Sequence, residues 1–412
     1  MVYLDYNATT PLDAQVLDAM LPWLSGHFGN PSSLHSPGRR AREAIEEARM
    51  KVAGAVGAAP TEVFFCASGT EANNLFLKGA AAQFAAPGAL LIGATEHSSV
   101  DEPARQLAKQ GWTLREMLPP PLCFVGSVPP PQPSPAGGGS RRGSGPGFPL
   151  PPAGGGREGG QAWGQIDIAS FMLAHNETGV LHDIACLALA LRERSPGLWF
   201  HSDAVQALGK IPLDFRALKA AGVTAISLGA HKIGGPPGAA ALVLDKRREL
   251  PPLIAGGGQE RGRRGGTENV AALVGFGRAC ELAVARLADE ARRLAALRDA
   301  LEATLVSMGA MVFGADASRL ANTSFFAFPG IDGATLVAQL DAAGFAVGSG
   351  SACSSAQPGS RSLRALGVPE ALARGAIRLS LGKTTTAKQI NDFLSVIQVN
   401  LSQLRTLTSL ST

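Results

Sequence analysis

Lys232 lies in Gly229-Ala-His-Lys232-Ile-Gly-Gly235, directly after a short apolar run and flanked by small residues. An amine placed there can meet a carbonyl in a partly desolvated pocket. Desolvation lowers its pKa and frees the lone pair for Schiff-base chemistry. Taken alone, the segment fits a surface lysine in a glycine-rich loop equally well. Asp203, in Phe200-His-Ser-Asp203-Ala-Val-Gln206, also follows an apolar run. A carboxylate buried at the C-terminal end of a strand needs a cationic partner, and strand C-termini are where open α/β sheets bind ligands.

A protonated pyridine nitrogen is such a partner, so an aspartate together with a Schiff-base lysine is the pair that a pyridoxal-phosphate site requires. Ala67-Ser-Gly69-Thr70-Glu-Ala-Asn-Asn74 stands between a strand pattern and a helical one. Backbone N–H groups and a hydroxyl at a helix N-terminus suit a phosphate, although a plain helix cap explains the same residues. Cys353 sits in Val347-Gly-Ser-Gly-Ser-Ala-Cys353-Ser-Ser, a run of small residues that gives it no packing role. That context suits a nucleophile on a mobile loop; the plainer reading is an incidental loop thiol. Cys66, in an apolar strand, and Cys186 and Cys280, on helical patterns, read as core thiols.

These residues need elements to position them. From about residue 38 the chain alternates helical and strand patterns. Arg39 to Val56 has helical spacing, and Glu62 to Cys66 is a short apolar strand. Further strands are expected at Ala89 to Gly93, Ile168 to Leu173, Leu198 to His201, Ala225 to Leu228 and Ala239 to Leu244. Short apolar strands alternating with helices predict an α/β domain with a largely parallel sheet covered on both faces. Ala271 to about Leu305 reads as one long helix bridging to a second domain, where Thr323 to Phe328 and Ala376 to Leu381 are strands in an α+β unit. The 412 residues suit two domains better than one core.

Composition excludes several classes. Hydrophobic residues make up 45% and charged residues 17%, as in a globular protein. The net charge of +4 is scattered and only two Tyr are present, which speaks against nucleic acid as a partner. No run of about 18 apolar residues predicts a membrane span, and no basic, apolar leader opens the sequence. Five dispersed cysteines without a CxxC pair fit reduced thiols, so a cytoplasmic location and no resident metal are expected.

One stretch departs from this pattern. Between Pro119 and Gly160, 24 of 42 residues are Pro or Gly, with an imperfect repeat of Pro135-Ala-Gly-Gly-Gly139 and Pro152-Ala-Gly-Gly-Gly156. Such a sequence cannot bury enough apolar surface to offset its ordering entropy, and a disordered surface insertion is expected over about 119–162.

Together, the blocks resemble the cysteine desulfurases of the NifS/IscS type, within the class V aminotransferase-like branch of pyridoxal-phosphate enzymes. The resemblance runs through Leu4-Asp-Tyr-Asn-Ala-Thr-Thr-Pro11, Phe28-Gly-Asn-Pro-Ser-Ser33, Thr95-Glu-His97, His175-Asn-Glu-Thr-Gly179 and His201-Ser-Asp203. It continues in Gly256-Gly-Gly-Gln-Glu-Arg-Gly262, Gly265-Gly-Thr267, the Cys353 loop and Arg378-Leu-Ser-Leu-Gly382, and covers nearly everything outside 119 to about 165. It implies the aspartate-aminotransferase-like fold (fold type I), with a mainly parallel seven-stranded sheet in a large domain and a smaller α+β domain. The large domain is expected over 15–260, and the small one over 1–14 and 261–412.

The resemblance also implies roles. Lys232 would form the Schiff base and move the Cα proton of bound cysteine. His97 would stack on the cofactor ring and help move protons. Asp203 would keep the pyridine nitrogen protonated, and Gln206 would contact the ring hydroxyl. Gly69, Thr70 and His231 would hold the phosphate, with Thr267 reaching across a homodimer. Asn176 would contact both cofactor and substrate, gripping the substrate carboxylate together with Arg378. Cys353 would take the sulfur as a persulfide, release alanine, and pass the sulfur to acceptor or iron–sulfur scaffold proteins, where it could touch a transient cluster. The loop from Cys353 to Leu363-Arg-Ala-Leu-Gly367 resembles the longer-loop group.

Two departures stand out. Gly229 occupies a position where the family commonly has a phosphate-bonding Ser. The Pro/Gly-rich stretch replaces a strand-flanked helix, a loss on the order of 5–10 kcal/mol by area bookkeeping, against a typical net stability of about 5–15 kcal/mol. A selenocysteine lyase, a class V aminotransferase and a compromised, non-catalytic homologue are the alternatives. The thiol at Cys353 argues against the aminotransferase, and the intact Lys232, Asp203, His97, Arg378 and Cys353 argue against the idle homologue.

Overall fold

The computed structural model describes residues 1–117, 164–350 and 359–409. The inserted stretch and Cys353 with its loop lie outside the described residues.

Seven strands form the main sheet: β1 (Val63–Cys66), β2 (Ala89–Gly93), β3 (Thr113–Met117), β4 (Ile168–Ser170), β5 (Trp199–Asp203), β6 (Ala225–Gly229) and β7 (Ala240–Leu244). Their spatial order is β1-β7-β6-β5-β4-β2-β3. All neighbours are parallel except β7, which runs antiparallel to both β1 and β6. The mainly parallel seven-stranded sheet expected from the sequence is therefore present. Its inner strands read as continuous apolar runs because helices cover both faces. On β1, Phe65 faces a core shared with Ile45 and Val52 of α2 (Ser36–Ala55) and with Phe276. Its neighbour Phe64 faces the opposite core, shared with Leu75 and Phe76 of α3 (Gly69–Ala81) and Val100 of α4 (Ser98–Lys109).

The strand that sequence patterning misses is β3. Its Thr-Leu-Arg-Glu-Met sequence is exposed or half-buried up to the buried Met117, as suits an edge strand with one hydrogen-bonding side open. It carries no apolar run to announce itself.

The long helix Val270–Ser307 contributes Leu273, Phe276 and Cys280 to one core and Leu294, Leu301 and Leu305 to another. It therefore ties the main sheet to a four-stranded antiparallel sheet, in which Thr323–Ala327 pairs with Ile377–Ser380. At Gly277 a Cβ would come within 2.9 Å of the Ala48 Cα, so the absence of a side chain there lets this helix lie directly on α2.

The sheet order puts the C-terminal ends of β1, β5 and β6 on one edge of the sheet, β5 beside β6 and β1 across the antiparallel β7, and each feeds a short turn or a helix start. The Gly256–Gly262 segment is pinned beside them by a buried charge pair. Arg49 Nη1 and Nη2 lie 2.7 and 2.9 Å from Glu260 Oε2 and Oε1, and Phe65 N–H also donates to Glu260 at 2.8 Å. Glu260 and Arg261 both adopt positive φ (48° and 58°), a conformation that non-glycine residues hold only when their surroundings impose it. Removing one partner of such a buried pair costs about 3–5 kcal/mol.

Candidate functional site

Asp203 ends β5 and is buried. Its Oδ1 accepts the Val205 N–H at 2.9 Å, which fixes the turn, and its Oδ2 accepts from Asn73 Nδ2 at 2.8 Å. Among the described residues it makes no ion pair. A carboxylate so enclosed calls for a cation from outside the chain.

Asn73 and Ser99 were not singled out from sequence, yet they connect Asp203 to His97. Asn73 Nδ2 also donates to Ser99 Oγ at 2.8 Å, and Ser99 Oγ lies 2.8 Å from His97 Nδ1. The Ser99 N–H donates to the same Nδ1 at 3.1 Å, capping α4. Because Nδ1 accepts a backbone hydrogen, the neutral ring carries its proton on Nε2. Burial pushes the His97 pKa below the usual histidine range; Asp203 opposes that shift, while Lys232 and Arg361 add to it. The only sequence signal for Asn73 was its place four residues after Gly69, on the same helix face.

Lys232 ends the single turn Ala230–Lys232 that follows β6. Its Nζ donates to the carbonyls of Asn7 at 2.5 Å and Ala8 at 2.8 Å. The opening segment of the chain therefore closes over the lysine, and Asn7 becomes part of the site. Asn7 also donates to Thr323 Oγ1 (2.9 Å), and its Oδ1 accepts from Lys210 Nζ (2.8 Å) and Asn322 Nδ2 (3.1 Å). His231 Nδ1 lies 3.3 Å from Thr9 Oγ1, and burial with the charges of Lys232 and Lys210 lowers its pKa to about 4.

At the start of α3, Ser68 Oγ accepts the Glu71 N–H. The preceding N–H groups of Gly69 and Thr70 have no intrahelical acceptor, and the helix dipole makes this end favourable for an anion. A Cβ on Gly69 would lie 2.9 Å from Val205 Cγ2, and one on Gly229 would lie 3.3 Å from Val205 Cγ1. Val205 is thus wedged between two side-chain-free positions, and one of them is where the family commonly carries Ser.

Arg378 joins the group from the smaller sheet. Its Nη2 lies 2.7 Å from Asp5 Oδ1 and its Nη1 donates to the Asn176 carbonyl at 3.0 Å, while Nε is buried without a hydrogen-bond partner among the described residues. Asn176 and Arg378 are accordingly neighbours. Gln206 is buried and donates from Nε2 to the Asn7 carbonyl at 2.9 Å. Thr267 does not join the cluster: it is exposed, three residues beyond Arg264, which pairs with Glu71 in the first turn of α3 at 2.9 Å. Cys66 and Cys280 are buried, with burial pushing both thiols up. Cys186, expected in the core, is only half-buried.

The arrangement suits a flat ligand with a phosphate at one end, a basic ring nitrogen at the other and a carbonyl within reach of Lys232. Asp203, which makes no ion pair among the described residues, would meet the ring nitrogen of such a ligand, and the α3 N-terminus would meet its phosphate. Among the described residues no cluster of His, Cys, Asp or Glu is arranged to hold a metal, and no helix is long and apolar enough to cross a membrane.

Comparison with known proteins follows the same lines. The family model described as aminotransferase class-V matches residues 2–120 and 164–393, skipping the Pro/Gly-rich stretch. Cysteine desulfurase IscS of Dictyoglomus turgidum is 38% identical over 98% of this chain and 96% of its own length. The IscS-like cysteine desulfurase of Mycobacterium tuberculosis is likewise 38% identical, over 98% and 97%. A solved NifS-like protein superposes with a TM-score of 0.81 at 31% identity, covering 97% of this chain and 99% of that one. A structure described as SspA in complex with cysteine gives 0.70 at 28%, covering 92% and 99%.

Proposed function

Because this chain belongs to the class-V aminotransferase family, and within it to the cysteine desulfurases, we propose that it takes sulfur from L-cysteine with pyridoxal phosphate held at Lys232. The observation that carries this reading is Asp203, buried at the end of β5 without a cation among the described residues, in the same cluster as Lys232. When bound, the cofactor supplies an electron sink that makes the bonds around the Cα of an attached amino acid labile.

The chain's own residues supply the rest. Asp203 holds a proton on the ring nitrogen. The N-terminus of α3, with Gly69, Thr70 and His231, takes the phosphate. Gln206 meets the ring hydroxyl, and His97, neutral with its proton on Nε2, covers the ring face. Arg378 and Asn176 bind the substrate carboxylate, a task suited to a guanidinium fork; Arg378 exchanges part of its contact with Asp5 to do so. The Lys232 amine moves the Cα proton. The Cys353 thiolate then attacks the substrate sulfur. An S–S bond forms, the C–S bond breaks with its electron pair left on carbon, and protonation of that carbon yields alanine. Acceptor proteins take the resulting persulfide sulfur. Thr267, exposed in one chain, completes the phosphate site of a second copy in a homodimer.

Borohydride reduction of the cofactor-loaded protein, followed by digestion and mass spectrometry, tests the cofactor assignment. The expected result is a single pyridoxyl-modified peptide carrying Lys232. Modification elsewhere, or none, would overturn it.

A further inference from the structure

Lys210 stands beside the site with no task in the chemistry above. Its Nζ donates to Gln206 Oε1 at 2.6 Å and to Asn7 Oδ1 at 2.8 Å, and it makes no ion pair among the described residues. The Gln206 amide has one acceptor oxygen and an NH2 with two hydrogens. One hydrogen goes to the Asn7 carbonyl, which leaves the other for a ligand. If the amide were flipped, the Lys210 donor would face the Gln206 NH2 and the Asn7 carbonyl would face Oε1, losing both bonds.

We propose that Lys210 is a positioning residue, locking the Gln206 amide with Nε2 toward the cofactor's ring hydroxyl and thereby setting the proton affinity of the linkage at Lys232. The inference rests on the pyridoxal-phosphate reading. The charged groups around Lys210 are consistent with it. Burial, with the charges of Lys232 and Arg378, holds its amine well below the usual lysine range. On its far side, Asp13, Arg286, Glu290 and Lys383 share with it the lining of a cavity of about 320 Å³. Asp13 is occupied there by Arg286 and Lys383, both at 2.7 Å. An amine held toward neutrality still has two hydrogens, enough for its two acceptors.

The sign of the effect follows. An N–H donated to the ring oxygen spreads that oxygen's negative charge, which otherwise helps retain the proton on the neighbouring Schiff-base nitrogen. Losing the donor raises that nitrogen's pKa. Lys210→Met frees the amide to flip, so the pH midpoint of the bound cofactor's visible absorption should move up by about one unit, roughly the worth of one hydrogen bond. Lys210→Arg, which keeps a donor, should titrate near the wild type. In a Gln206→Leu background, Lys210→Met should add no further shift, because residues acting through one another are not additive.

The measurement is a spectrophotometric pH titration of the holoenzyme, with thermal unfolding of each variant alongside it and Lys210→Gln, too short to span both acceptors, as a second loss variant. A raised midpoint in whichever loss variant folds, absorbed by Gln206→Leu, supports the proposal. A wild-type midpoint in a folded loss variant, even one with a lowered Tm, overturns it and leaves the cofactor reading intact. Full additivity with Gln206→Leu overturns the route through Gln206. A wild-type protein that shows no bound-cofactor band overturns the cofactor reading, and this inference with it.

Discussion

Lys232→Ala is expected to lower the turnover of L-cysteine by about four orders of magnitude, since it removes both the attachment point and the group that moves the Cα proton. The fold should tolerate the change. In this structure Lys232 gives hydrogen bonds to the carbonyls of Asn7 and Ala8, and a typical bond of that kind is worth about 1 kcal/mol. Loss of activity with an unchanged circular dichroism spectrum therefore identifies a chemical role. Retention of more than about a tenth of the wild-type rate would mean that another group holds the cofactor, a far smaller loss than removal of an essential base allows.

The second large effect is expected from Asp203→Asn. The substitution is nearly isosteric and keeps an oxygen for the Val205 N–H. It removes the charge and turns a donor toward Asn73 Nδ2, which now donates to Asp203 at 2.8 Å. Asn73 can answer by turning its own amide, because its Oδ1 is buried and without a partner among the described residues; doing so gives up its bond to Ser99. Structure is thus largely preserved while the ring nitrogen loses its counter-charge. Breaking a buried charge pair costs about 3–5 kcal/mol, which corresponds to a fall in kcat of roughly two to four orders of magnitude. A steady-state assay at saturating L-cysteine and cofactor checks this, and a variant within about fivefold of the wild type would contradict the pairing.

Much of this was legible in the sequence, for identifiable reasons. The inner strands are buried on both faces, so each reads as an unbroken apolar run, and the residue just past each run is where a ligand site forms. Lys232, Asp203 and Gly69 were found that way. The edge strand Thr113–Met117 could not be found so, because both of its faces are partly open and admit Thr113 and Arg115 on one side and Glu116 on the other. The polar chain from Asp203 through Asn73 and Ser99 to His97 was equally hidden. It assembles residues from α3, from α4 and its cap, and from the end of β5, and an Asn on a helix announces no partner 130 positions away. Asn7 escaped notice because its function depends on the N-terminal segment folding back over Lys232, a contact between residues 225 positions apart. The geometry gives His97 one accepting nitrogen held by Ser99 and one carrying a proton.

The central claim is that Lys232 and Cys353 act in sequence on one substrate. Its most direct test is quantification of alanine and sulfide released by the purified, cofactor-loaded chain from L-cysteine in the presence of a reductant, beside the Cys353→Ala variant. The account predicts equal amounts of alanine and sulfide over many turnovers in the wild type, and loss of both in the variant. Undiminished alanine and sulfide release from Cys353→Ala would contradict it, since sulfur would then be leaving without passing through that thiol.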